Sequence, residues 1–132
     1  STEGTMSGGI FEIAGDNVNG IIFNVACVTE APGIDELLEK FIARWGYDPS
    51  IDAAPDCYMA CDAFKLLTGA IEKAGSTDSV AIRDALETTK DLQGLTCTIT
   101  IDPATHNVYR QVPIYQIVDG EFKQLELYDL HA

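Results

Sequence analysis

The chain has 132 residues, with 8 basic and 21 acidic side chains, a formal charge of −13, 46% hydrophobic residues and 8% aromatics. This supplies enough apolar mass for one folded domain and is unlike a disordered segment. The Lys and Arg residues are scattered between Lys40 and Lys123, so no basic stripe exists to neutralise phosphates, and nucleic acid is excluded as a natural partner. The longest apolar runs, such as 20–28, fall well short of the ~20 residues that cross a bilayer, and no basic amphipathic helix is present to lie on one.

Residues 1–9, rich in Ser, Thr and Gly, read as a frayed end, and a short apolar stretch at 10–14 stops at Gly15-Asp16. Asn19-Gly20 is a turn signal. The run 21–28 that follows is almost continuously β-favouring, the pattern of a strand buried on both faces between parallel neighbours.

Past Pro32-Gly33, the residues Ile34, Leu37, Leu38, Phe41, Ile42 and Trp45 recur at helical spacing. They predict a helix over 34–45 that packs this stripe, Trp45 included, against the interior. Gly46 stands where a left-handed cap is wanted. A second helix is expected over about 55–74, with Pro55 in its first turn and Gly75 just past its end. Its apolar residues, among them Cys57, Ala60, Cys61, Phe64, Leu67, Ile71 and Ala74, cover more than one stripe, which predicts a central helix packed on two sides. Ser76-Thr77-Asp78 caps a third helix over 79–88 with Val80, Ile82, Ala85 and Leu86 as its buried side.

From Leu92 the period changes to two. Residues 96–101 alternate, Asp102-Pro103 breaks the pattern, 112–118 alternate again, and Asp119-Gly120 makes a two-residue hairpin turn into 122–128. The fold class is therefore α/β: one buried strand, three helices, then C-terminal antiparallel strands. One buried strand does not complete an α/β domain, because parallel strands come in sheets with helices on both faces. With no initiating Met and no signal segment at Ser1, the chain is expected to be the C-terminal portion of a longer protein.

The segment Ile13-Ala14-Gly15-Asp16-Asn17-Val18-Asn19-Gly20-Ile21 resembles the stretch leading into a strand in the branched-chain amino acid receptor family of ABC transporters, the leucine/isoleucine/valine-binding proteins of the type I periplasmic binding fold. The resemblance continues at the family's spacing through Phe41-Ile42-Ala43-Arg44-Trp45-Gly46-Tyr47-Asp48-Pro49 and Asp62-Ala63-Phe64-Lys65-Leu66-Leu67-Thr68-Gly69-Ala70. It extends to Ile82-Arg83-Asp84-Ala85-Leu86, Leu92-Gln93-Gly94-Leu95-Thr96, Ile99-Thr100-Ile101-Asp102 and Tyr115-Gln116-Ile117-Val118-Asp119-Gly120, so it covers about 10–126. Two departures put thiols at Cys61, where the family commonly has Tyr before Asp-Ala, and at Cys97, where it often has Gly.

The resemblance implies an incomplete piece of a two-lobe receptor whose lobes close around a small ligand and are presented to a membrane permease. It implies that about 20–91 come from one lobe, the strand at 20–28 being part of a crossover, and that about 92–132 cross back toward the other. The main contacts to a ligand's carboxylate and amino groups would lie upstream of Ser1, so a branched-chain or related small amino acid would be held by the full-length parent only. The implied setting is periplasmic or extracellular, as a membrane-anchored lipoprotein, with no cofactor and no catalysis. The missing N-terminal part of the same protein is the implied structural partner; without it, the chain is expected to self-associate as a homo-oligomer or strand-swapped dimer.

Three consecutive residues are the site candidates. Tyr58 matches an aromatic contact of the leucine-type receptors, so its ring would cover one wall of the ligand pocket. Asp56 and Cys57 would line the same cleft, although an Asp in a first helical turn is already explained by the helix dipole. Cys57 and Cys61, at i and i+4, share a helix face, and with Cys27 and Cys97 allow three disulfide pairings. A thiol-based metal or redox module is the competing class, but the spacing fits neither a CxxC pair nor a zinc framework, and the only histidines, His106 and His131, lie in the β tail. Buried thiols packing as apolar residues are the plainer reading. The ligand-binding domain of a sensor receptor is a third alternative. No nucleophile elbow, phosphate loop or metalloprotease motif occurs, so nothing points to an enzyme.

Overall fold

The computed structural model describes residues 5–50 and 54–129. In chain order these form α1 (Gly9–Ala14), a 3-10 turn (Gly15–Val18), β1 (Ile22–Asn24), α2 (Ile34–Trp45), α3 (Ala54–Ala74), α4 (Ser79–Glu87), β2 (Leu92–Gln93), β3 (Thr98–Ile101), β4 (Val108–Tyr109), β5 (Gln111–Val118) and β6 (Glu121–Asp129). Two three-stranded antiparallel sheets result, one ordered β1-β5-β6 and the other β2-β3-β4.

Local chemistry accounts for the element boundaries. Gly33 and Gly46 flank α2 in the left-handed conformation, and the Gly46 amide closes the last turn on the Ile42 carbonyl at 2.7 Å. The Asp78 side chain accepts from the amides of Val80 and Ala81, both at 3.0 Å, and starts α4 as predicted. Asp119 and Gly120 both take positive φ, as the primed hairpin turn between β5 and β6 requires.

The run 21–28 is not a strand between parallel neighbours. Only 22–24 pair, antiparallel to β5, with Phe23 opposite Tyr115. Burial alternates: Phe23, Val25 and Cys27 are buried, while Ile22 and Asn24 are exposed. One face of this edge strand packs under α1 and the 3-10 turn, and no described element covers the other, so the apolar run marks a half-buried strand. Its buried face joins Val18, Tyr115 and Ile117, with Phe11 and Phe122 packed against them. The rings of Phe11 and Phe122 lie 4.9 Å apart, and those of Phe23 and Tyr115 5.9 Å.

A second core forms around Cys27, Ile34 and Tyr58, with Leu37, Leu38 and Leu95 against it. Here the predicted stripe of α2 is only partly used. Ile34 is buried, but Ile42 and Trp45 are exposed, Trp45 by 67%, with the Arg44 guanidinium 5.4 Å over its ring. The Tyr58 cluster reaches only the first two turns of α2, and its last turn runs past any described neighbour. Helix α3 likewise is not covered on two sides: Phe64 is 70% exposed and Leu67 also faces water. Its contact with α4 is made through the small residues Ala70 and Ala85, both buried, while Val80, expected inside, is exposed. Amphipathic spacing measures the demand for burial; the supply depends on elements elsewhere.

Candidate functional site

Two stretches of backbone leave the β1-β5-β6 sheet for the rest of the chain, one between the two cores and one between the two sheets. The first runs from Val25 in one core through Cys27 to Ala31 in the other, and the second joins β4 to β5 at Arg110. The first passage is tied to its surroundings by polar contacts. Thr29 Oγ1 and the Tyr115 hydroxyl are 2.9 Å apart, the Cys27 thiol donates to the Pro55 carbonyl at 3.6 Å, and the Val25 amide donates to the Pro113 carbonyl at 3.3 Å.

Tyr58 sits on the second turn of α3, directly behind the first passage. It is only 2% exposed, packed with Cys27 and Ile34. Burial raises its phenol above the ordinary tyrosine value, assisted by Cys57, Asp48, Cys27 and Asp35 around it. Asp56 and Cys57, adjacent in sequence, diverge in space: Asp56 is exposed in the first turn of α3, and Cys57 is half-buried beside Tyr58 with its thiol pushed up by burial. The helix thus brings Cys57 and Tyr58 into one cluster and turns Asp56 to solvent.

A polar anchor that sequence reasoning quoted only as part of a motif stands one turn further on. Asp62, 6% exposed, accepts from the amides of Leu95 and Thr96 and from the Thr96 hydroxyl, the latter two at 3.0 and 2.6 Å. Three donors satisfy the buried carboxylate and fix the loop 94–97 against α3. Gly94 is required there, since a Cβ would lie 2.7 Å from both Asp62 Oδ1 and the Cys97 carbonyl oxygen. The signal was an acidic residue inside an otherwise apolar helix stretch followed, thirty-odd residues later, by Gly-Leu-Thr; nothing local joins the two.

That loop forms one wall of a cavity of about 370 Å³ at the second passage, shared by Val28, Thr96, Cys97, Tyr109, Arg110 and Gln111. All four cysteines are free thiols, and among the described residues no cluster of three or more His, Cys, Asp or Glu side chains could hold a metal ion. Among those residues, no helix is long and apolar enough to cross a membrane.

No family model matches the chain, and no curated protein sequence matches it. Solved structures do. The architecture is that of a partial type I periplasmic binding protein fold. A leucine-binding protein, LivK, of Thermotoga maritima superposes over 98% of this chain and 37% of its own, with a TM-score of 0.75 and 22% identity. A branched-chain amino acid ABC transporter protein of Rhodospirillum rubrum matches 94% of this chain and 36% of its own, with a TM-score of 0.69 and 23% identity. An ABC transporter solute-binding protein of Rhodopseudomonas palustris in complex with p-hydroxybenzoic acid matches 87% and 32%, with a TM-score of 0.66 and 20% identity. The chain spans about a third of the length of these proteins.

Proposed function

We propose that the chain is the C-terminal portion of the solute-binding component of an ABC uptake system, which captures a branched-chain or related small amino acid as two lobes close. The observation that carries this reading is the pair of backbone passages, at 25–31 between the two cores and at Arg110 between the two sheets, with Tyr58 buried directly behind the first. Two such connections let the halves change angle without either core being remade, which closing around a solute requires. The likeness to solute-binding proteins supports the same reading. On it, Tyr58 and Cys57 back the cleft, Asp56 faces it, a membrane permease receives the closed form, and the parent works as a lipoprotein in the periplasm or outside the cell.

The energetics assign most of the affinity to the rest of the parent. One apolar wall supplies about 1–3 kcal/mol, whereas micromolar binding requires roughly 8 kcal/mol, most of it from groups that replace the hydration of a zwitterion. Calorimetry with leucine, isoleucine and valine tests this on the full-length parent and on its Tyr58→Ala variant, which removes the ring behind the cleft. The parent is expected to bind at micromolar concentration or tighter and the variant about tenfold more weakly. Failure of the parent to bind any of the three overturns the amino-acid reading, and an unchanged affinity in Tyr58→Ala returns Tyr58 to the packing residues.

A further inference from the structure

Arg110 is the wall between two cavities. On one side is the polar cavity at the second passage; on the other is a slot of about 150 Å³ between α3 and the β3–β4 pair, whose apolar lining includes Met59, Ala63, Leu66, Ile99 and Val108. The residue is half-buried, and among the described residues its guanidinium makes no hydrogen bond or ion pair. That is unusual in a chain with 21 acidic side chains against 8 basic ones. The one carboxylate that also lines the slot, Asp62, is already bound by Leu95 and Thr96. Arg110 therefore offers an open donor fork at the end of an apolar slot, beside the hydroxyl of Thr96 and the thiol of Cys97.

We propose that this slot is a binding site, separate from the interlobe cleft, for a compact monocarboxylate with an apolar body. Its carboxylate would pair with the Arg110 guanidinium, and its benzene- or isobutyl-sized body would lie against Met59, Leu66 and Ile99. The size agrees, because an apolar cavity of about 150 Å³ holds a benzene-sized group. The charge pattern argues for one negative head. A dianion would meet Asp62 and, across Arg110, the Asp91 and Asp129 carboxylates that line the polar cavity. An amine in place of the carboxylate would meet the guanidinium.

The test uses the 132-residue chain, with benzoate and isovalerate as probes and isobutylamine as control, followed by amide chemical-shift titration. Millimolar or tighter binding of at least one carboxylate is expected, with shifts centred on 96–99 and 108–110 and none from the amine. Arg110→Met should weaken it tenfold or more. Ala63→Phe, at an exposed helix position, should block the slot without touching the guanidinium, so a misfolded Arg110 variant would leave the proposal testable. Absence of shifts with both carboxylates, equal binding of the amine, or binding undiminished in Ala63→Phe overturns the proposal. None of these outcomes bears on amino-acid capture by the full-length parent, which is read separately by calorimetry.

Discussion

Asp62 and Thr96 are joined twice, the carboxylate accepting from both the amide and the hydroxyl of a residue 34 positions later. This pair, with the Leu95 amide, is what holds the loop 94–97 on α3 and so sets one wall of both cavities beside Arg110. Removing the carboxylate by Asp62→Ala leaves two half-buried amides without their acceptor, and we expect a loss of about 1–3 kcal/mol in denaturant unfolding. Thr96→Val removes one bond only and should cost about 1 kcal/mol. Gly94→Ala places a methyl group against Asp62 and the Cys97 carbonyl and should cost about 2 kcal/mol. Equal stability of Asp62→Ala and wild type would refute the anchoring role.

The turn after β3 gives a pH prediction. Tyr109 donates to Asp102 Oδ2 at 2.7 Å, the Ala104 amide to Oδ1 at 2.8 Å, and the Thr105 hydroxyl to Oδ2 at 3.0 Å. The Tyr109 bond first, then those of Ala104 and Thr105, hold the Asp102 carboxyl below the usual aspartate value. A pKa lowered on folding contributes stability that is present above the unfolded value and is lost as pH falls through the folded one. The same bond raises the Tyr109 phenol, whose contribution is lost as pH rises through its folded value. Carbon-detected titration should find the Asp102 midpoint lower than in its Tyr109→Phe variant; equal midpoints would exclude the bond.

Helix limits and turns were readable because they depend on neighbours in sequence. Gly46 ending α2, Asp78 starting α4 and Asp119-Gly120 closing the β5–β6 hairpin are each decided within a few residues. Partners were not readable. The 21–28 run carries no mark that says β5 pairs it antiparallel, and the α2 stripe does not reveal that cover ends before Trp45. In the site, Tyr58 was picked out by resemblance, but its depth behind Cys27 was not. Asp62 and Arg110 escaped notice because their roles come from contacts across the fold: one residue is satisfied by a loop distant in sequence, the other is distinguished by having no such partner.

The thiols yield a discriminating measurement. Burial pushes the Cys57, Cys61 and Cys97 thiols above the usual value, which keeps them protonated and weakly nucleophilic at neutral pH, and Cys27 is buried. Unfolding without reductant should release four titratable thiols and no metal, whereas the native chain should react slowly with the same reagent. Fewer than four thiols, or stoichiometric zinc or copper, would revive the metal or redox reading.

Self-association is the last expectation, and the two sheet edges make it specific. Strand β6 has β5 on one side and no described strand on the other, although it is nine residues long. Its Leu125 and Tyr128 are exposed, and the register places Tyr128 opposite Val112, on the face that also carries Ile114 and the exposed Ile22. An unpaired edge next to an uncovered apolar face is a template for a second copy, either by edge pairing or by exchange of β1 or the terminal strands. The charge of −13 opposes this between like chains, so association should strengthen as salt screens the repulsion, the reverse of a complex held by ion pairs. Light scattering at rising protein and salt concentration is expected to find dimers or larger species. Tyr128→Lys should move the balance toward monomer by putting charge on the sheet face, and Phe64→Lys, on the open side of α3, should leave it unchanged if the sheet is the contact. A monomer at millimolar concentration and high salt would refute association, and a response to Phe64→Lys alone would move the contact from the sheet to the helix.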